Sequence, residues 1–206
     1  MAQISMSEAQ LPLKKSGVDG RVQRSKRSRQ LIIEAMLELI NEGVLIPTAQ
    51  QVADRANIAI RTVFRHFSEM EQLYNELDAR IRDHYIDLFR GGDRSGSLAQ
   101  RLQHAIERHA NAYIALSPII LATHALLWRS PVLTKNYAEN QHKLRNDLDD
   151  WLPELAAVSA ATREAVDAVA SFEFWHRLHV SQGIDKDNSV KLIVGMISNL
   201  LLSDTL

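Results

Sequence analysis

The sequence contains no cysteine, which excludes disulfide bonds and thiolate metal sites among its 206 residues. No apolar run approaches the ~20 residues of a membrane-spanning helix, and Leu11-Pro12-Leu13 is too short to be the core of a signal peptide. The His-Glu-x-x-His, Gly-x-Ser-x-Gly and dinucleotide-binding glycine motifs of common enzyme classes are also missing. These absences predict a soluble, cytoplasmic protein that is not an enzyme and has no cofactor, bound metal or membrane partner.

Alternation of polar and β-branched residues is scarce, whereas apolar residues recur at helical spacing, so the predicted fold is all-α with about nine helices. The formal net charge of −1 is unevenly distributed. Residues 1–67 contain ten Lys and Arg against six Asp and Glu, and residues 68–206 contain fourteen against nineteen. A basic N-terminal part joined to an acidic remainder is typical of a small nucleic-acid-binding module fused to a domain with another role.

The stretch Pro47–Phe67 predicts two short helices joined by a tight turn. Thr48 and Gln51 have the spacing of a capping box, in which each residue bonds the backbone N–H of the other. Asn57 is predicted to end the first helix, because asparagine tolerates the left-handed backbone conformation better than most residues. The second helix is predicted to begin near Ile60.

The outer face of this second helix carries its two arginines. At 100° per residue, Arg61 and Arg65 point away from the inner residues Val63 and Phe67. The flanks of the helix carry Thr62, Phe64 and His66. Arginine can bond a guanine edge bidentately, and hydroxyl and N-terminal amide groups can hold phosphates, so this face suits a DNA major groove. An ordinary helical hairpin with a solvated basic face has the same pattern, and spacing alone does not separate the two.

This stretch resembles the DNA-binding signature of the TetR family, the tetracycline-repressor-like bacterial regulators. The match starts in the preceding helix, residues 30–41, and includes Glu42, Gly43, Thr48, Val52, Ala53, Arg55, Ala56, Ile58, Thr62 to Phe67 and Ser68 to Leu73. Beyond about Leu77 only the all-helical layout is similar. The resemblance implies a dimeric, ligand-responsive transcription regulator that binds double-stranded DNA. In that family the last two helices build a four-helix dimer interface.

Several positions depart from the family pattern. The family usually has Gly at Asn57, Ser at Ala59, a polar or basic residue at Ile60, Gly at Arg61, Tyr at Phe64 and Lys at Met70. Ala59 removes a cap hydroxyl, Phe64 a phosphate-binding hydroxyl and Met70 a cation, whereas Arg61 adds a charge. These departures bear on affinity and sequence preference more than on the DNA-binding role.

A basic run precedes the signature: Lys14, Lys15, Arg21, Arg24, Lys26, Arg27 and Arg29, with one acid, Asp19. Residues 1–22 are predicted to be a mobile arm, which either is merely solvated or reaches phosphates or a minor groove. The first helix is predicted to begin near Arg27 and to end at Gly43, within a DNA-binding domain of residues 23–69. The predicted DNA contacts are Arg24, Lys26, Arg27, Thr48, Gln50, Ala59, Ile60, Arg61, Thr62, Phe64, Arg65 and His66.

Residues 70–206 are predicted to be a ligand-binding and dimerisation domain. A second capping box at residues 68–71 is expected to start a long helix to Arg90. The glycine-rich residues 91–96 indicate a linker, because the Lys-Ser/Thr ending of a phosphate loop is missing. Cap and proline positions then predict helices over residues 97–117, 119–128, 131–151, 160–182 and 187–202.

Aromatic and imidazole side chains in these helices suit an apolar pocket with a few polar anchors, or equally a filled core. The candidate ligand-binding residues are Tyr85, His109, Tyr113, His124, Trp128, Phe172, Trp175 and His176. His176 and His179 could touch one metal ion, but there is no obvious carboxylate partner at helical spacing, and packing or a polar surface position is the favoured interpretation. The last two helices are apolar on more than one face, which a partner subunit or the protomer core must cover. The candidate dimer contacts are Phe174, Leu178, Val190, Val194, Ile197 and Leu201.

Together these patterns predict a homodimeric regulator, most simply a repressor that a small apolar or aromatic molecule releases from a pseudo-palindromic operator. Two alternatives stay open. One is an all-α binding or scaffold protein whose helix-turn-helix head has lost DNA binding. The other is a small helical enzyme, which the missing catalytic motifs disfavour. Nothing in the sequence specifies the operator, the regulated genes, the effector or the sign of regulation.

Overall fold

The computed structural model describes residues 17–204, apart from the side chains of residues 17–19, 83 and 84. Over this range the chain has no strand, which confirms the all-α prediction. Its nine α-helices are α1 (Gly17–Asn41), α2 (Ala49–Arg55), α3 (Ile60–His66), α4 (Met70–Phe89), α5 (Leu98–Leu127), α6 (Pro131–Trp151), α7 (Ala160–Ala170), α8 (Phe172–His176) and α9 (Lys186–Asp204). A 3₁₀ turn, Pro153–Ala157, precedes α7, and a π-helical turn, Arg177–Ser181, follows α8.

Helices α1, α2 and α3 form a small head around their own core. One face of α1 is buried against Val52, Val63 and Phe67, and this face consists of Ile32, Ile33, Ala35, Met36, Leu39 and Ile40. The turn between α2 and α3 has the two backbone bonds of a Schellman motif, from Ile58 N–H to Ala53 and from Asn57 N–H to Asp54. Asn57 has φ +52°, so the predicted left-handed residue is confirmed.

The start of α1 differs from the prediction, because the helix begins ten residues earlier, at Gly17. Residues 17–22, which were assigned to a mobile arm, are therefore its first turns, and residues 1–16 lie outside the described part of the chain. Residues 20–27 are exposed, and the prediction missed the first turns because it relied on apolar spacing. Gly43 has φ +94° and follows the helix end as predicted.

The capping box predicted at the start of α4 is absent. Glu69 is the N-cap and makes no side-chain cap bond, while the Gln72 side chain accepts from the Ser68 N–H at 3.1 Å. The capping boxes at Thr48 with Gln51 and at Ser97 with Gln100 are both present. Residues 91–96 are the loop between α4 and α5, as predicted.

Two helix breaks were predicted at the wrong places. Pro118 lies inside one continuous α5 and does not separate two helices. Proline has no N–H to donate to the Ile114 carbonyl, and Ile114 is at an exposed position where water can satisfy that group. The predicted helix 160–182 is instead interrupted at Ser171, whose hydroxyl accepts from the Phe174 N–H at 3.2 Å and donates to the Ala168 carbonyl at 2.8 Å. A serine that bonds its local backbone in this way favours a cap over helix continuation.

Helix α5 joins the two cores. Its first half lies in the bundle core with buried residues of α6 to α9, and its last turns, through Ala122 and Leu126, belong to the head core together with Leu73 and Leu77 of α4. By length and composition alone, α5 is apolar enough to cross a membrane, although polar residues interrupt its apolar runs. In this fold its apolar residues pack against α1, α4, α6 and α9.

Candidate nucleic-acid interface and cavity

The exposed face of α3 carries the two predicted base-reading arginines. Arg61, Phe64 and Arg65 are exposed, and Val63 on the opposite side is fully buried. Ile60 is also exposed, whereas Thr62 is half-buried. Buried Val63 and Phe67 therefore fix the rotation of α3 and direct both guanidinium groups outward.

The N-terminus of α3 is weakly capped. Ala59 is the N-cap, and its methyl group makes no hydrogen bond to the first turn. The free amide groups of a helix N-terminus attract anions, so those of α3 suit a phosphate oxygen. At the N-terminus of α2, by contrast, the Thr48 hydroxyl is already bonded within its capping box.

Three predicted phosphate contacts, Arg24, Lys26 and Arg27, are exposed along α1. Arg24 donates to the Gly20 carbonyl one turn earlier at 3.1 Å. Gln50, the remaining predicted contact on α2, donates to Asp54 at 2.7 Å, and both residues are exposed. The predicted DNA contacts thus lie on α1, α2 and α3 and their N-caps, and among the described residues no ion pair holds their charges in the head.

Arg29 has a different role from its basic neighbours on α1. One nitrogen donates to the His66 carbonyl at the end of α3 at 3.0 Å, and another pairs with Glu76 of α4 at 3.1 Å. Its guanidinium also lies over the Phe67 ring, 4.3 Å from the centroid. Arg29 therefore ties α1, α3 and α4 together. It was assigned to the basic run of α1, because no local pattern identifies a partner 47 residues away.

His66 ends α3 with a neutral ring. Burial, and then the charges of Arg65 and Arg29, hold the pKa of its imidazole below the usual 6.5. Its Nε2 is buried without a hydrogen-bond partner among the described residues. Arg55, also missed by the site prediction, pairs with Glu42 and Glu38 and so attaches α2 to α1.

A cavity of about 500 Å³ lies between α4, α5 and α6. Its apolar wall consists of Ile86, Phe89, Tyr113, Leu116, Ile119, Ile120, Leu144 and Phe172. Its polar side is mostly the inner edge of α6, which carries Asn140, Gln141, Lys143, Asn146, Asp147 and Asp150. A volume of this size is typical of sites for small organic molecules. A second cavity of about 390 Å³ on the other side of α6 shares Tyr113, Tyr137, Gln141 and Leu144 with it.

Charged residues around the cavity are largely paired with one another. Asp78 accepts from Arg82 at 2.7 Å and from Asn136 at 2.8 Å. Arg94 pairs with Asp147 at 2.7 Å and with Asp150 at 3.1 Å. Because these ions are neutralised locally, the cavity presents little net charge to a ligand.

The predicted ligand residues divide into three groups. Tyr85, Tyr113 and Phe172 line the main cavity, and His109 lines the second one, 3.3 Å from Asp147. His124, Trp175 and His176 form a layer behind the lining, where their rings contact Phe172. Trp128 lines neither cavity, since its side chain is 81% exposed at the end of α5.

The contribution of α6 to the cavity was not predicted. Its sequence is strongly polar, yet Tyr137, Asn140 and Leu144 line the cavity. Phe89 and Arg94 were missed too. The rim of a partly apolar cavity requires a helix with both polar and apolar residues. An ordinary surface helix has the same pattern, so the pattern alone does not distinguish the two.

The candidate dimer residues lie mainly inside the protomer. Val190 and Ile197 are fully buried, Leu178 and Leu201 nearly so, and Phe174 and Val194 are half-buried against the bundle core. Leu192 and Met196 form the exposed apolar side of α9. His179, the other half of the considered metal pair, has its Nδ1 2.9 Å from the Ile184 carbonyl. No group of three metal-binding side chains was found among the described residues.

Helix α4 connects the head to the cavity. Its first half contributes Leu73, Tyr74 and Leu77 to the head core, and its second half contributes Tyr85, Ile86 and Phe89 to the cavity wall. The Ser130 hydroxyl donates to Glu71, which adds a polar contact between the start of α6 and the start of α4. A displacement of α4 would therefore act on both sites.

Comparison with known proteins shows the fold. No family model matches the chain, and no curated protein matches it. A protein from Streptomyces coelicolor A3(2), assigned as a transcriptional regulator, superposes with a TM-score of 0.56 at 21% identity, covering 85% of this chain and 98% of its own. A transcriptional regulator from Rhodococcus sp. Rha1 superposes with a TM-score of 0.59 at 15% identity, covering 84% of this chain and 95% of its own. The chain therefore has the all-α architecture of these two solved structures over most of its length.

Proposed function

We propose that the protein is a ligand-responsive, DNA-binding transcription regulator of the TetR type that acts as a homodimeric repressor. The proposal rests on the position of α4. This helix packs against the helix-turn-helix head at one end and forms part of the wall of the 500 Å³ cavity at the other. The roles of the two similar structures support it. A protein that only bound a ligand, or only bound DNA, would have no need of this shared element.

DNA binding is assigned to the face of α3 and the flanking parts of α1 and α2. Arg61 and Arg65 are exposed, and burial of Val63 fixes the face of α3 on which they lie. Arg61 and Arg65 are proposed to read base edges, and Arg24, Lys26 and Arg27 to contact phosphates, which position the protein without specifying sequence. The net positive charge of residues 1–67 favours this approach to DNA.

Homodimerisation is assigned to the exposed side of α9. Leu192 and Met196 are 46% and 41% exposed, and Gly195 lies beside them with no atom within 4 Å of the position of an added Cβ. Residues 192, 195 and 199 follow at the three- and four-residue steps of a helix-packing seam, and a glycine there permits close approach of a second helix. Two heads related by a two-fold axis would read a pseudo-palindrome with half-sites ~34–36 Å apart or a multiple of this.

Effector binding is assigned to the main cavity. A molecule between α4, α5 and α6 would press on Tyr85 and Phe89 and thereby displace α4. Since the operator fixes the separation of the two heads, a small displacement weakens both half-site contacts. Thermodynamic linkage requires that DNA lower the affinity for the effector by the same factor by which the effector lowers the affinity for DNA, commonly ~5–150-fold.

The test is selection of bound fragments from the genomic DNA of the source organism, followed by titration of the best fragment at several salt concentrations. We expect a pseudo-palindromic site whose affinity falls steeply with salt, as counterion release requires. Arg61→Ala should lose preference for the selected site, by ~1–3 kcal/mol, while retaining affinity for random DNA. If the wild-type protein selects no fragment and shows no salt-dependent binding, the alternative of an all-α scaffold with an inactive head is the correct one.

A further inference from the structure

The hydroxyl groups that line the main cavity differ in whether they already make a hydrogen bond within the protein. Four residues with a hydroxyl line it: Tyr85, Tyr113, Thr123 and Tyr137. Tyr113 donates to the Ala170 carbonyl at 2.9 Å, Thr123 to the Ile119 carbonyl at 2.9 Å, and Tyr137 to Glu173 at 2.6 Å. The Tyr85 hydroxyl is buried and has no hydrogen-bond partner among the described residues.

An unpartnered buried hydroxyl is unusual, because burial without a hydrogen bond destabilises the folded state. Tyr85 lies in the second half of α4 and lines the cavity, so a molecule bound there lies beside its side chain. Burial, and then the negative charge of Asp78, raises the pKa of the Tyr85 phenol far above its usual value. The group therefore keeps its proton and is available as a donor.

The charged residues that line the cavity limit the charge that a ligand can carry. Asp78, Asp147 and Asp150 formally balance Arg90, Arg94 and Lys143. Asp78, Asp147, Asp150 and Arg94 are bonded to other protein groups, and Arg90 lies 3.5 Å from Asp87. Lys143 is exposed at the rim, where water solvates it. A charged ligand would thus lose its hydration without gaining a partner ion in the apolar part of the cavity.

We propose, resting on the effector role given above, that the cavity takes an uncharged, largely aromatic or apolar molecule with one hydrogen-bond acceptor, such as a ketone or ester oxygen, to which Tyr85 donates. The aromatic wall of Phe89, Tyr113 and Phe172 receives the ring, since these rings already meet edge to face. Tyr85 supplies the one polar anchor that fixes its orientation.

Four probes with the same ring separate the possibilities: 2-acetylnaphthalene, 2-ethylnaphthalene, naphthalene-2-carboxylate and 2-(aminomethyl)naphthalene. In calorimetric titrations of the wild-type protein near pH 7, we expect the acetyl compound to bind about five-fold tighter than the ethyl compound, as one hydrogen bond implies. The carboxylate and the ammonium compound should bind about ten-fold more weakly than the acetyl compound, or less well still.

Tyr85→Phe should abolish the preference for acetyl over ethyl while leaving the affinity for 2-ethylnaphthalene unchanged. Tyr137→Phe is the matched control: it removes a hydroxyl from the same lining, but one that already donates to Glu173, so the preference should persist. The comparison of the acetyl compound with the two charged compounds uses only the wild-type protein, so it tests the proposal even if Tyr85→Phe folds poorly.

Tighter binding of either charged probe, an acetyl preference that survives in Tyr85→Phe, or no binding of any of the four would overturn the proposal. The effector role is tested separately by adding 2-acetylnaphthalene to the complex with the selected DNA. Binding without any change in DNA affinity would refute release of DNA by this ligand, yet the calorimetric ratios would still identify the ligand class.

Discussion

Ala59 leaves α3, the proposed recognition helix, without a side-chain cap, and this single residue offers a test of the head. Ala59→Ser would place a hydroxyl where it can accept from the first turn of α3. We expect the free energy of unfolding to rise by about 1 kcal/mol, the usual value of a serine N-cap over alanine. Urea denaturation monitored by circular dichroism measures this change. A loss of stability would show that the Ala59 backbone does not hold cap geometry in solution.

His66 should make the head sensitive to moderate acid. Its folded-state pKa lies below 6.5, so between pH 6.5 and that lower pKa the unfolded chain binds a proton that the folded protein does not. The free energy of unfolding must then fall as the pH falls through this window. Urea midpoints between pH 8 and 5.5 should decline less in His66→Gln than in the wild type.

His124 gives the control for this measurement. Burial also lowers the pKa of its imidazole, so the His66→Gln protein should retain a residual decline of the same sign. Combining His66→Gln with His124→Gln should flatten the profile further. Equal pH dependence of the wild type and the double variant would mean that other groups control acid stability.

At the scale of helices, Arg29 holds α3 between α1 and α4. Arg29→Gln removes the bond to the His66 carbonyl and the ion pair with Glu76, both partly exposed, and should lower the free energy of unfolding by about 1 kcal/mol. DNA affinity should fall as well, although Arg29 is not one of the proposed DNA contacts, because the end of α3 loses its support. Arg29→Lys should rescue only part of either loss, since an ammonium group lacks the planar fork that reaches both partners.

Arg27→Gln is the matched control, because it removes the same charge from an exposed position on the same helix. Its stability should stay within about 0.5 kcal/mol of the wild type, while its DNA affinity falls only through the lost phosphate contact. The salt dependence of DNA binding separates the two cases: Arg27→Gln should reduce the slope, and Arg29→Gln should leave it nearly unchanged. The same reduced slope in both variants would show that Arg29 contacts phosphate instead.

Local chemistry explains which elements could be predicted from the sequence. The caps at Thr48 and Ser97 and the turn at Asn57 depend on residues within a few positions, and these predictions are confirmed. Pro118 was misjudged because packing of α5 into both cores overrides one missing backbone bond. Of the candidate site, the outward face of α3 followed from helical periodicity. The cavity wall on α6 did not, because it depends on which helices become neighbours.

At the scale of the whole molecule, one apolar face of α9 is buried in the core of its own protomer, and another apolar face is exposed. Ile197 is 0% exposed within one protomer, whereas Leu192 and Met196 lie on the opposite, solvent-exposed side. The two faces predict different phenotypes for the same kind of substitution. Ile197→Asp buries an unpaired charge in the protomer core and should unfold the protein, with loss of helical circular dichroism.

Leu192→Asp should instead give a folded monomer, because its charge meets water in the free protomer and another subunit only in the proposed dimer. Gly195→Leu is a change at an exposed position where an added Cβ meets no atom within 4 Å in the protomer, so it should weaken only association. Sedimentation velocity measures the assembly state, and circular dichroism confirms folding. Both variants should also bind the selected operator far more weakly, since each head then binds its half-site without the effective concentration that the second head provides. If both remain folded dimers with wild-type operator affinity, the subunits associate through a different surface and α9 faces solvent.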